Sequence, residues 1–125
     1  MVGSASPQRP GLNDLALELA ERAAAFRSGL PASVAASLAD LIRAMNCYYS
    51  NLIEGHNTHP VDIERALQDD YSNDSGKRNL QLEARAHIAV QQWIDGDGLS
   101  AAPTSPAMII EMHRRFGELL PADLL

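Results

Sequence analysis

The stretch PASVAASLADLIRAMNCYYSNLIEG, residues 31–55, decides the fold. Within it Val34, Leu38, Leu41, Ile42, Met45, Tyr49 and Leu52 recur at steps of three and four, the spacing that gathers side chains on one face of an α-helix. Gly55 stands where such a helix stops, because glycine takes the left-handed backbone of a helix C-terminus without steric cost. The spacing predicts one long helix from about Pro31 to Glu54, with those residues as its broad apolar face.

Weaker patterns of the same period flank it. On the N-terminal side, Leu12, Leu15, Leu19, Ala23 and Phe26 predict a first helix with Asn13 as its N-cap, ended by Ser28-Gly29 and Pro31. Residues 1–12, rich in serine, glycine and proline, read as a disordered tail. On the C-terminal side, Thr58 and Pro60 open a short helix over Val61 to Leu67, with Asp62 and Glu64 where the macrodipole favours negative charge. Residues 68–79 are polar and read as a loop. A fourth helix is expected over Leu80 to Asp95, with Leu80, Ala84, His87, Ile88, Gln91 and Ile94 on one stripe, followed by the turn Gly96-Asp97-Gly98. A fifth starts at Pro106, capped by Thr104 or Ser105, and carries Ile109, Met112, His113, Phe116 and Leu120 before Pro121 ends it. The expectation is an all-α bundle of about five helices, with abundant alanine and leucine and 5% aromatic residues to match.

Composition removes several function classes. A net charge of -6 offers no electrostatic footprint for a phosphate backbone, so nucleic acid is not expected as a partner. No apolar run reaches the roughly 20 residues needed to span a bilayer, so no membrane partner is expected either. The lone cysteine, Cys47, reads as a small buried hydrophobe in a reducing compartment, and the cytoplasm is the expected location.

The window Tyr48 to Asn57 carries the most chemistry. Ser50 and Glu54 are four residues apart, hence on one helix face, immediately before Gly55. A carboxylate at a helix C-terminus opposes the macrodipole at a cost of a few tenths of a kcal/mol, roughly, unless a cation meets it. The spacing by itself also fits a solvated surface pair. His56 and His59, with Glu54 and Asp62 nearby, straddle a helix stop where no ligand spacing is fixed, and no metal site is expected. His87 and His113 lie on apolar stripes and read as hydrogen-bonded core residues. Arg114 and Arg115 read as cations favourably placed near a helix C-terminus.

Ser50-Asn51-Leu52-Ile53-Glu54-Gly55 resembles the S/T-x-x-x-E-G/N inhibitory motif of Fic-family AMP-transferases, in the class that carries it N-terminal to the catalytic core. The order of the later segments adds to the resemblance: His56-Asn57-Thr58 and the helix Val61 to Leu67, then Glu83 to Ile88 with Trp93-Ile94-Asp95, then Ile110 to Phe116. It spans roughly residues 34 to 125. The resemblance implies that Glu54 pairs with an active-site arginine and blocks productive placement of the ATP γ-phosphate, with Ser50 holding the inhibitory helix and Gly55 closing it. ATP and magnesium are implied for the complete family enzyme, and none for this chain alone.

The catalytic motif of that family, H-x-F-x-D/E-G-N-G-R, is absent from the sequence. His56 is followed by Asn57-Thr58, His59 by Pro60-Val61, His87 by Ile88-Ala89 and His113 by Arg114-Arg115, and no Gly-Asn-Gly occurs. The expectation is therefore a helical N-terminal inhibitory segment over residues 13–125, incomplete as a Fic-like domain and inactive alone. Its expected partner is a Fic catalytic core in cis; a homodimer is compatible with it. The alternatives are an antitoxin-like protein that inhibits a separate Fic enzyme in trans, and an inactive truncated product.

Overall fold

The computed structural model describes residues 7–96 and 98–125; the expected tail over residues 1–6 and the centre of the expected turn, Asp97, lie outside them. Five α-helices follow in chain order: α1 (Arg9–Ser28), α2 (Ala32–Ile53), α3 (Pro60–Leu67), α4 (Ser75–Asp95) and α5 (Pro106–Glu118), with a final 3-10 turn at Ala122–Leu124. No strand occurs among the described residues, and the chain is all-α. It divides into two units, Met1–Ala39 and Asp40–Leu125, with the boundary inside α2.

In the first unit, α1 starts four residues before the expected cap Asn13, so residues 9–12 are helical rather than part of a tail. The reason is Pro10 in its first turn, where the missing N–H costs nothing and the fixed φ suits a helix. At its other end the Gly29 N–H bonds back to the Ala25 carbonyl at 3.2 Å and the Ser28 hydroxyl donates to the same oxygen at 3.0 Å. No residue of α1 is buried.

The core of the second unit is Cys47 of α2, Ile63 of α3, and Ala84 and Ile88 of α4, with Ala44 and Tyr48 packed against it. Small residues on α2 and α4 let the two backbones approach; the Cys47 thiol lies 3.7 Å from the Ala84 carbonyl. Helix α3, only eight residues long, is too short to persist alone. It is held by burial of Ile63 and Ala66 and by Gln81 of α4, which is fully buried. The Gln81 amide donates to the carbonyls of Asp62 (3.0 Å) and Asp70 (3.3 Å), while its oxygen accepts the Ser72 N–H at 2.7 Å.

The polar segment between α3 and α4 is shorter than expected and tied down at several points. Asp74 caps α4 by accepting the Lys77 N–H at 2.8 Å, so the helix begins at Ser75, one turn and more before its apolar stripe. Arg65 pairs with Asp70 at 2.7 Å, and Arg85 bonds to both Asp69 and the Tyr71 hydroxyl. Because α4 packs against α3 and α5 as well as sharing the core with α2, it buries Gln81, Ala86 and Val90 beyond the expected stripe.

Helix α5 begins at Pro106 with Ser105 as its cap, accepting the Met108 N–H at 3.3 Å. Met108 is its buried residue, and His113, expected in the core, is exposed, because the face that meets α4 is turned away from it. Arg115 instead places its guanidinium 4.2 Å from the centroid of the Trp93 ring and pairs with Glu111 at 2.7 Å. A side chain at Gly98 would run into the carbonyl and indole of the same Trp93, so this glycine permits the chain to pass over the ring.

Candidate functional site

Helix α2 has two faces, and the one it buries is not the most apolar one. Ala44, Cys47, Tyr48 and Asn51 turn toward the core, whereas Leu41, Ile42, Met45, Tyr49 and Leu52 are about half exposed. The expected apolar face is thus displaced by roughly one residue, about 100° around the helix. Close approach favours the side with Ala44 and Cys47, since bulky Met45 or Tyr49 would hold the Ala84 backbone away.

The candidate inhibitory residues lie at the C-terminal end of this helix. The His56 N–H bonds to the Asn51 carbonyl at 2.7 Å and the Gly55 N–H to that of Leu52 at 3.1 Å, which is the Schellman arrangement. It requires a left-handed residue at Gly55, where φ is +80°, as the sequence predicts. Glu54 is therefore the C-cap residue itself. Ser50, Glu54 and Gly55 are all exposed, and neither the Ser50 hydroxyl nor the Glu54 carboxylate has a partner among the described residues.

The end of α2 is fixed by residues outside its apolar spacing. Asn51, 6% exposed, directs its amide to the Thr58 hydroxyl at 3.5 Å and to the Cys47 sulfur at 3.8 Å. Thr58 is itself buried, and its N–H bonds to the His56 carbonyl at 3.1 Å. The His56 Nδ1 lies 3.1 Å from the Glu83 carboxylate of α4. The turn that follows Glu54 is thereby fastened to two helices while Glu54 points to solvent. The recoverable signal was an asparagine and a threonine seven residues apart across a helix stop, a pairing visible only once the turn geometry is known.

Three other titratable groups have pKa values moved by their surroundings. Burial, with a further contribution from the charge of Glu83, pushes the Cys47 thiol up to about 11, so it is protonated at neutral pH and is no nucleophile. Burial also lowers the pKa of half-buried His87, against the opposing pull of Glu83. Hydrogen bonds from Arg114 and then Arg115 hold Glu111 down to about 2. Among the described residues no group of three or more His, Cys, Asp or Glu side chains is placed to hold a metal ion. No described helix is long and apolar enough to cross a membrane.

A second surface feature lies beside the open face of α2. Leu41, Ala44, Met45, Tyr48 and Tyr49 form one wall of a groove of about 560 Å³, and Pro60, Glu64 and Leu67 of α3 form the other, with Asp40 at its end. Its lining is mostly apolar and its carboxylates are at the rim. No protein-family model, curated protein or solved structure matches this chain.

Proposed function

We propose that this chain is the regulatory helical region of a Fic-type protein AMP-transferase, with Glu54 as the brake that captures an arginine of the catalytic core. The observation that carries the reading is the state of Glu54: an exposed carboxylate without a partner, at the C-cap of a helix that is anchored in a core by Cys47 and Asn51. The negative end of the helix macrodipole adds to the potential at that point, so an incoming guanidinium is attracted by both. A carboxylate accepts such a group through two parallel hydrogen bonds, which removes the fork that would otherwise grip a phosphate. Ser50, one turn earlier on the same exposed side, is available to hold the core's loop in register.

ATP and magnesium are implied for the complete family enzyme, and no residue of this chain is assigned to hold them. Three of its acidic groups are engaged with arginines: Asp70 with Arg65, Asp69 with Arg85 and Glu111 with Arg114 and Arg115. No chemical step is therefore assigned to this chain, and the transfer of AMP to a protein hydroxyl belongs to the core it restrains. Location in the cytoplasm accords with a single, buried, unpaired cysteine.

The test joins or mixes this chain with a Fic catalytic core and follows AMP incorporation into protein. Wild-type chain is expected to suppress incorporation, and Glu54→Gly or Glu54→Gln to restore it by at least about tenfold, the value of one charge-assisted arginine contact. Circular dichroism should be unchanged in both variants, because the Glu54 side chain supports no packing. Incorporation that ignores both the chain and the substitution would overturn the proposal.

A further inference from the structure

The groove between α2 and α3 asks for an occupant of defined chemistry. It is an apolar trough about 14 Å long, measured from Asp40 to Tyr49 along α2 at the helical rise. Its rim is acidic: Glu64 is exposed with no partner among the described residues, and Asp40 is engaged only by Arg43 of its own helix. The unit around it is acidic too, since residues 40–125 contain thirteen aspartates and glutamates against seven lysines and arginines. An apolar helix flanked by arginines is the ligand that such a surface selects.

This sequence contains one. Leu12, Leu15, Leu19, Ala23 and Phe26 form a stripe along α1, and the four large side chains among them are 43–69% exposed. Arg9 and Arg27 are eighteen residues apart, five turns, so they lie on the same flank of that stripe. Neither has an ion-pair partner among the described residues. Asp14 and Glu21 fall on the far side of the helix, and Glu18, on the other flank of the stripe, is paired with Arg22 at 2.6 Å. The apolar side of α1 is accordingly its cationic side, the complement of the groove rim. The stripe is about 21 Å long from Leu12 to Phe26, enough to fill the trough and to extend over exposed Leu52 beyond it.

We propose that the α2–α3 groove of one copy of this chain receives the Leu12–Phe26 stripe of a second copy, with Arg9 or Arg27 meeting Glu64. Each copy carries one stripe and one groove, so the contact is between unlike surfaces and closes into a dimer when it is made twice. It is independent of the Glu54 reading, because Glu54 lies outside the groove.

Sedimentation equilibrium over a concentration series tests it, with no Fic core present. The wild-type chain is expected to associate. Leu15→Asp with Leu19→Asp should raise the dissociation constant by at least about tenfold, as should Met45→Glu in the groove, since each removes one or more buried apolar side chains from the contact. An equimolar mixture of the two variants should associate more tightly than either alone, because it retains one intact stripe and one intact groove. Should Met45→Glu disturb folding, Arg9→Glu with Arg27→Glu gives the same loss from surface positions, and Glu64→Arg should recover it. A wild-type chain that stays monomeric, whether its groove is open or covered by its own α1, overturns the proposal. So does association that survives every variant, or a mixture that behaves as the sum of its parts.

Discussion

Helices α1 and α4 are almost equal in length, 20 and 21 residues, and opposite in what they bury. Helix α1 carries Leu12, Leu15, Leu17, Leu19 and Phe26, all exposed, and contributes no buried residue. Helix α4 buries Gln81, Ala84, Ala86, Ile88 and Val90, of which two are alanines and one is a polar amide. The difference teaches that burial follows what lies across from a helix rather than how apolar its side chains are. Alanines admit a neighbouring backbone closely, and a glutamine can be buried at no net cost when each of its polar atoms is bonded.

The largest expected effect comes from breaking the packed side of this comparison. Ile63→Ala deletes the α3 side chain that shares a core with Ala84 and Ile88, and should lower unfolding free energy by about 3 kcal/mol in urea titration. A loss under about 1 kcal/mol would mean that the site collapses around the cavity or that α3 is only loosely held.

Next in size is Gln81→Leu, which keeps the volume and removes the bonds. The Ser72 N–H and the Asp62 and Asp70 carbonyls would lose their shared partner, at a cost of about 2 kcal/mol. Hydrogen exchange of the Ser72 amide should accelerate together with the amides of α3. If only global stability falls, with no local change, Gln81 is merely filling space.

A smaller effect is expected from pH. Burial lowers the pKa of His87 below its ordinary 6.5, so the unfolded chain binds the proton more readily. Its contribution to stability is therefore intact above 6.5 and is lost as pH falls from there toward the folded-state pKa. A separate window belongs to Glu111, whose pKa is lowered from 4.5 to about 2, and stability from it is lost as pH falls between those values. His87→Gln should flatten the slope of melting temperature with pH in the first window only; an unchanged slope would relocate the effect to another group.

The smallest change sharpens the contrast. Leu19→Ala deletes the same class of side chain as Ile63→Ala but from a helix that buries nothing, so the unfolding free energy at high dilution should move by no more than about 0.5 kcal/mol. A loss comparable to that of Ile63→Ala would show that the stripe is covered within a single chain.

Much of the architecture was legible in the sequence. The five helices, the glycine stop at Gly55, a cap at Thr104 or Ser105 before Pro106 and the burial of Cys47 all follow from spacing and local backbone chemistry, and the structure selects Ser105. Less of the site was legible. A motif singles out Ser50, Glu54 and Gly55 as candidates, but the fastening of their turn by Asn51, Thr58 and the His56–Glu83 pair joins residues up to 27 positions apart, and periodicity has no access to such pairings. Helix α4 starts before the expected Leu80 because its first turn is polar, and a cap aspartate says more about a helix start than the first leucine does.

By itself, the sequence determined that five helices form and that α2 stops at Gly55, because those outcomes depend on a few neighbouring residues and their φ preferences. It also determined that Cys47 has no second cysteine among these 125 residues to pair with and that the chain is acidic. The tertiary structure decided which face of α2 is buried, that His113 is exposed while His87 is half-buried, and which glutamine holds α3 in place. Those outcomes depend on which backbones can approach one another, and the amphipathic pattern of a single helix leaves that choice open to about 100° of rotation.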